Sequence, residues 1–156
     1  MLASPGVHAA GIWQGEYQYE PEDDGSPMTF TMTLVQDSNG VVSGTVTEGP
    51  GGMPEEGRIV GTCRRGRLEF LKLMPVARFA APEGTQEMSA FYEADGHEMQ
   101  EPIEHPQLIY QGRFSGDGRT VAGTWRLDGC WVRLKEGPTF YMPGVRGDWS
   151  ATRTDS

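Results

Sequence analysis

Gly11-Ile12-Trp13-Gln14-Gly15-Glu16-Tyr17-Gln18-Tyr19 decides how the rest of the chain is read. Its core is a bulky residue, a spacer, glycine, a spacer and a second bulky residue: Trp13, Gly15, Tyr17. The figure returns as Val42, Gly44, Val46, as Ile59, Gly61, Cys63, as Tyr110, Gly112, Phe114, and as Val121, Gly123, Trp125. A period of two is that of a strand, so the bulky members share one face. Glycine between them marks a bend or a close backbone approach. Strands built this way describe a sheet curled tightly enough to close.

The intervening sequence supplies the other strands and their turns. After the first strand, 12–20, comes an acidic stretch from Glu20 to Pro27 whose prolines and glycine break structure. Met28, Phe30, Met32 and Leu34 alternate with threonines in a second strand, 28–36. Asn39-Gly40 then signals a hairpin into a third, 41–48. Strands follow at 58–63, 68–73, 108–114, 120–127 and 148–153, with Ser115-Gly116-Asp117-Gly118 as a further hairpin turn. Two long connections, 75–106 and 128–146, interrupt them, the first leaving room for a short strand or helix around Met88–Glu93.

The expected fold is therefore all-β: an eight-stranded antiparallel up-and-down β-barrel with two long loop insertions, one domain over residues 1–156 with the barrel at 11–153. An even strand number sets the last strand antiparallel to the first, so Trp13 and Arg153 meet at one end. A guanidinium lying on an indole contributes about 0.5–2 kcal/mol.

Composition narrows the function classes. Thirteen basic against twenty-two acidic residues give a net charge of −9, which argues against nucleic acid as a partner. No run approaches the roughly 18 apolar residues of a membrane span. The opening residues lack a basic region followed by an apolar run, so the expected location is cytoplasmic. Cys63 and Cys130 show no metal-ligand spacing; they read as free thiols, with a disulfide between late connection and barrel as the alternative.

Gly11-x-Trp13 on the first strand, together with Arg153 on the last, resembles the signature of the calycins, the lipocalins, fatty-acid-binding proteins and avidins. The avidin branch is the most similar, through Val42-Ser43-Gly44-Thr45-Val46, Tyr110-Gln111-Gly112-Arg113, Thr124-Trp125-Arg126-Leu127 and Asp148-Trp149-Ser150-Ala151-Thr152-Arg153. The resemblance implies a closed barrel with a ligand-sized interior and association into a dimer or tetramer. It does not extend to biotin: Gly15, Tyr19 and Val46 stand where the family's biotin-contacting polar residues fall, so the hydrogen bonds of that ligand's polar head are lost.

On the bulky face Tyr17, Tyr19, Phe30, Met32, Phe70, Tyr110, Phe114 and Trp125, with Trp149, either line an apolar pocket or fill the barrel as core. Lys72 shares its face with Leu68 and Phe70; it is an inward ligand anchor or catalytic amine, or else a wet strand end. Glu16 and Glu69 fall on the opposite, solvated face. His97, Glu98, Glu101, Glu104 and His105 crowd the first connection without the spacing of a metal site, and neither metal nor cofactor is expected. His105, just before the sixth strand, is the lone histidine placed for acid–base work. No catalytic motif is present. Three functions stand side by side. The first is a barrel binding a small, largely apolar molecule, covered by the two connections. The second is a small enzyme of isomerase or cyclase type using Lys72 or His105. The third is a filled barrel docking a partner protein through Trp131, Phe140, Tyr141 and Met142.

Overall fold

The computed structural model describes residues 8–20, 27–76, 78–81, 84–91, 107–134 and 138–154. They form twelve strands and no helix: β1 (Gly11–Glu20), β2 (Met28–Gln36), β3 (Val41–Glu48), β4 (Gly57–Arg64), β5 (Arg67–Leu73), β6 (Arg78–Ala81), β7 (Gly84–Phe91), β8 (Leu108–Phe114), β9 (Thr120–Leu127), β10 (Cys130–Leu134), β11 (Thr139–Met142) and β12 (Val145–Arg153). Eight of these close an antiparallel barrel in the order β1-β12-β9-β8-β5-β4-β3-β2, the up-and-down arrangement expected from the hairpins. No helix long and apolar enough to cross a membrane occurs among the described residues.

Within the two long connections most of the described residues form strands. β6, β7, β10 and β11 make a second, four-stranded sheet in the order β11-β10-β7-β6. Its central pairing joins the two connections, Trp131 lying opposite Phe91 and Leu134 opposite Met88. The element expected around Met88–Glu93 is the strand β7, as far as the described residues run. The last barrel strand also begins three residues before Asp148, at Val145, because Val145, Arg146 and Gly147 pair with Leu127, Arg126 and Trp125.

The closed end of the barrel gathers the β2–β3, β4–β5 and β8–β9 turns. In the first, the Asp37 carboxylate accepts the amides of Asn39 and Val41, each at 2.8 Å, and Gly40 takes the positive φ of 83° that the turn requires. Trp13 and Arg153 sit opposite each other, with the guanidinium carbon 4.4 Å from the indole centroid. Arg153 donates to the carbonyls of Ala10 and His8, and the Trp13 indole donates to Ala9 at 2.9 Å. Strand parity thus sets Arg153 against Trp13 as expected.

Inward glycines do not hollow the barrel; they admit the side chains of neighbouring strands. A Cβ on Gly15 would lie 2.5 Å from Phe30 Cζ, and one on Gly112 2.9 Å from Trp149 Cζ2. Backbone thus exposed becomes a hydrogen-bond acceptor: the Trp149 indole donates to Gln111 O and the Trp125 indole to Gln18 O, both at 3.0 Å. Phe70 stacks on Tyr110 at 4.8 Å between centroids, and Trp149 meets both rings edge-on. These contacts leave a cavity of about 10 Å3 lined by Phe30, Met32, Val46, Ile59, Phe70, Lys72 and Tyr110. That is space for about one water. Cys63 and Cys130 are buried and form no disulfide with each other, and burial raises both thiol pKa values.

Candidate functional site

Lys72 and Glu48 form an ion pair inside the barrel, toward the end opposite Trp13 and Arg153, their side chains 3% and 1% exposed. Both positions follow from strand period. On β5 the inward residues are Leu68, Phe70 and Lys72; on β3, Val42 and Val46 precede Glu48, the last residue of the strand. Lys72 Nζ donates to Glu48 Oε2. The other carboxylate oxygen, Oε1, accepts the Tyr17 hydroxyl at 3.0 Å and the Met53 amide at 3.1 Å. The ammonium nitrogen lies 5.1 Å from the Tyr17 ring centroid and 5.9 Å from that of Tyr110. Aromatic faces thus replace part of the water that a lysine normally keeps.

The connection that covers the pair, residues 49–56, is short and glycine-rich. The Gly49 amide donates to Thr29 O at 2.8 Å, and the Gly52 amide returns to Gly49 O at 3.0 Å. This tight bend brings Met53 back over Glu48, where its side chain packs on the barrel core. Among the described residues the Met53 amide and side chain cover Glu48, and the Met28 side chain lies against Gly51 and Gly52 of the same loop.

Burial, and then the Glu48 carboxylate, push the phenols of Tyr17 and Tyr110 well above the ordinary tyrosine range. Both stay protonated, and Tyr17 serves as a permanent donor to Glu48. Tyr110 is different: it is 2% exposed, yet its hydroxyl has no hydrogen-bond partner among the described residues. Buried hydroxyls without partners are rare and costly, about 1–3 kcal/mol each. The unpaired hydroxyl belongs to a residue that lines the same small cavity as Lys72.

Of the residues singled out from sequence, Tyr17, Phe30, Met32, Phe70, Lys72, Tyr110 and Trp125 come together around this cluster, all buried. Tyr19 is 41% exposed at the rim, with its ring edge-on to Trp125 at 5.2 Å. Phe114 lies apart, at the closed end, 5.7 Å from Trp13. Glu16 and Glu69 are exposed outside the wall, the latter 3.0 Å from Arg67. His97, Glu98, Glu101, Glu104 and His105 lie outside the described residues. In the second sheet, Trp131 and Tyr141 pair edge-on at 5.5 Å, and Tyr141 is 53% exposed. A larger depression of about 580 Å3 runs along β1, β2, β3 and β12, lined by Gln14, Glu16, Thr31 and Thr152 and also by Phe30 and Glu48.

Sequence reasoning missed Glu48 and Met53. Glu48 carried a signal, since it continues the two-residue period of Val42, Gly44 and Val46 onto the inward face. Met53 carried none, because its place depends on the bend of its loop. Compared with known proteins, the chain matches no family model, no curated protein and no solved structure.

Proposed function

We propose that the protein binds a small, largely apolar molecule bearing one polar group, at the Lys72–Glu48 end of the barrel beneath Met53. The observation that carries this reading is the polar cluster itself. Lys72, Glu48 and the Tyr110 hydroxyl, which has no partner among the described residues, sit together inside an aromatic core. A buried ion pair is poor evidence for stability, since a well-packed apolar replacement is often neutral or better. The pair and the phenol are better explained as groups kept for a ligand's polar atom. Phe30, Phe70, Tyr17, Tyr110 and Trp125 supply the apolar walls, at roughly 25 cal/mol for each Å2 of ligand surface withdrawn from water. Kinship with the calycin barrels belongs to the same proposal and is supported by the Trp13–Arg153 closure.

Met53 occupies the ligand's place, and its loop moves aside on binding. Met53→Ala vacates the side chain while keeping the amide that binds Glu48. With benzyl alcohol as probe and tryptophan emission as readout, Met53→Ala is expected to bind at least about threefold more tightly than the wild type, because less of the affinity is spent on opening. Equal or weaker binding by Met53→Ala contradicts the site.

A second reading, docking of a partner protein, is favoured by the exposed Tyr141 beside the half-buried Trp131. β11 is moreover an edge strand with one side unpaired.

A further inference from the structure

The charge arrangement around Lys72 restricts the polar group of the ligand proposed above, and the inference rests on that reading. Glu48 is fully engaged: Oε2 with Lys72, Oε1 with Tyr17 and Met53. A ligand carboxylate brought to Lys72 would place a second anion beside Glu48 in a site closed to water. A ligand amine brought to Glu48 would leave the Lys72 ammonium buried without its counterion. Both arrangements leave an uncompensated buried charge. A neutral ligand leaves the pair balanced, and among neutral groups a carbonyl does one thing more: it reacts with an amine.

We infer that Lys72 captures a neutral aldehyde or ketone with an apolar body as an iminium held by Glu48. Glu48 takes one proton from the Lys72 ammonium, and the freed amine nitrogen attacks the carbonyl carbon. The resulting carbinolamine oxygen receives the proton, hydrogen-bonded by the Tyr110 hydroxyl, which has no partner among the described residues. A second proton passes from the carbinolamine nitrogen through Glu48 to the hydroxyl, which leaves as water carrying the former carbonyl oxygen, and the resulting C=N bond carries the positive charge formerly on the ammonium. One amine, one carbonyl compound and no net proton are consumed; one water is released. The iminium replaces the ammonium against the same carboxylate, so the balance of charge inside the barrel is unchanged.

The sequence makes this testable without a variant. Only two lysines occur in the chain, Lys72 and Lys135, against eleven arginines. Full-length protein is incubated with benzaldehyde and sodium cyanoborohydride at neutral pH, and the reduced adduct is located by peptide mass mapping. The expected result is one benzyl group per chain, on Lys72, with Lys135 and the α-amino group substantially unmodified. Lys72→Arg is expected to lose the adduct, and Tyr110→Phe to form it several-fold more slowly with its melting temperature preserved. Labelling confined to Lys135 and the α-amino group, or equal at all three amines, overturns the inference. Benzyl alcohol, which cannot form an imine, separates the two claims. If it binds at the site and benzaldehyde leaves Lys72 untouched, the amine chemistry is wrong and the ligand site stands. If neither engages the cluster, both are wrong.

Discussion

Lys72→Met alone is expected to lower the unfolding free energy by about 3–5 kcal/mol, because it strands a carboxylate among aromatic rings. Glu48→Gln alone strands an ammonium and is expected to cost a similar amount, about 3–5 kcal/mol. The double variant Lys72→Met/Glu48→Gln recovers most of the loss and lies within about 1 kcal/mol of the wild type. Glutamine is chosen because its side-chain oxygen still accepts the Tyr17 hydroxyl and the Met53 amide, so the double variant removes charge without orphaning those donors. Urea unfolding at neutral pH measures all four proteins. Losses that simply add would mean that the two groups do not depend on each other, and the buried pair would lose its significance.

The second large effect is alkaline unfolding. Tyr17 and Tyr110 have folded pKa values raised far above the ordinary tyrosine value, by burial first and by Glu48 second. Their stabilising contribution is complete below the unfolded-state pKa, near 10, and is lost as pH rises beyond it, because only the unfolded chain then releases these protons. Each tyrosine is worth about 1.4 kcal/mol per pH unit in that window, so the pair gives a slope of about 2.7 kcal/mol per unit. Tyr17→Phe should halve the slope. Ultraviolet titration should show two of the five tyrosines ionising only as the protein unfolds. Five normal phenol titrations with the fold intact would place both rings in water.

Most of the barrel was legible because its signals are local. β2, β3, β8 and β9 have the bounds that alternation and hairpin turns gave them, for Thr29, Thr31 and Thr33 against Phe30 and Met32 admit no other register. Arg153 could be set against Trp13 by strand parity alone. The second sheet could not be read in this way. β10 has five residues and β11 four, too few for a period, and the β7–β10 pairing joins segments some forty residues apart. Inward glycines mark room for something; they do not say whether it is a ligand or a neighbour's ring. In this barrel Phe30 and Trp149 take that room at Gly15 and Gly112. The site divides along the same line. Lys72 was visible on the inward face of its strand, and Glu48 obeyed the same rule as the last residue of its strand, where register is least certain. Nothing in the local sequence announced that the two would meet, because that contact is made across the interior between β3 and β5, with β4 lying between them.

The account's central claim is that a ligand enters at the Lys72–Glu48 end of the barrel, and three indole N–H groups report on it directly. The Trp125 indole donates to Gln18 beside Tyr17 and Tyr19, that of Trp149 to Gln111 deeper in the wall, and that of Trp13 to Ala9 at the closed end. In a nitrogen–proton correlation spectrum titrated with benzyl alcohol, the Trp125 indole signal should move saturably, together with the Met53 amide. The Trp13 signal should stay in place. Movement of the Trp13 signal alone, or no saturable movement at Trp125 and Met53, would contradict a ligand site at this end of the barrel.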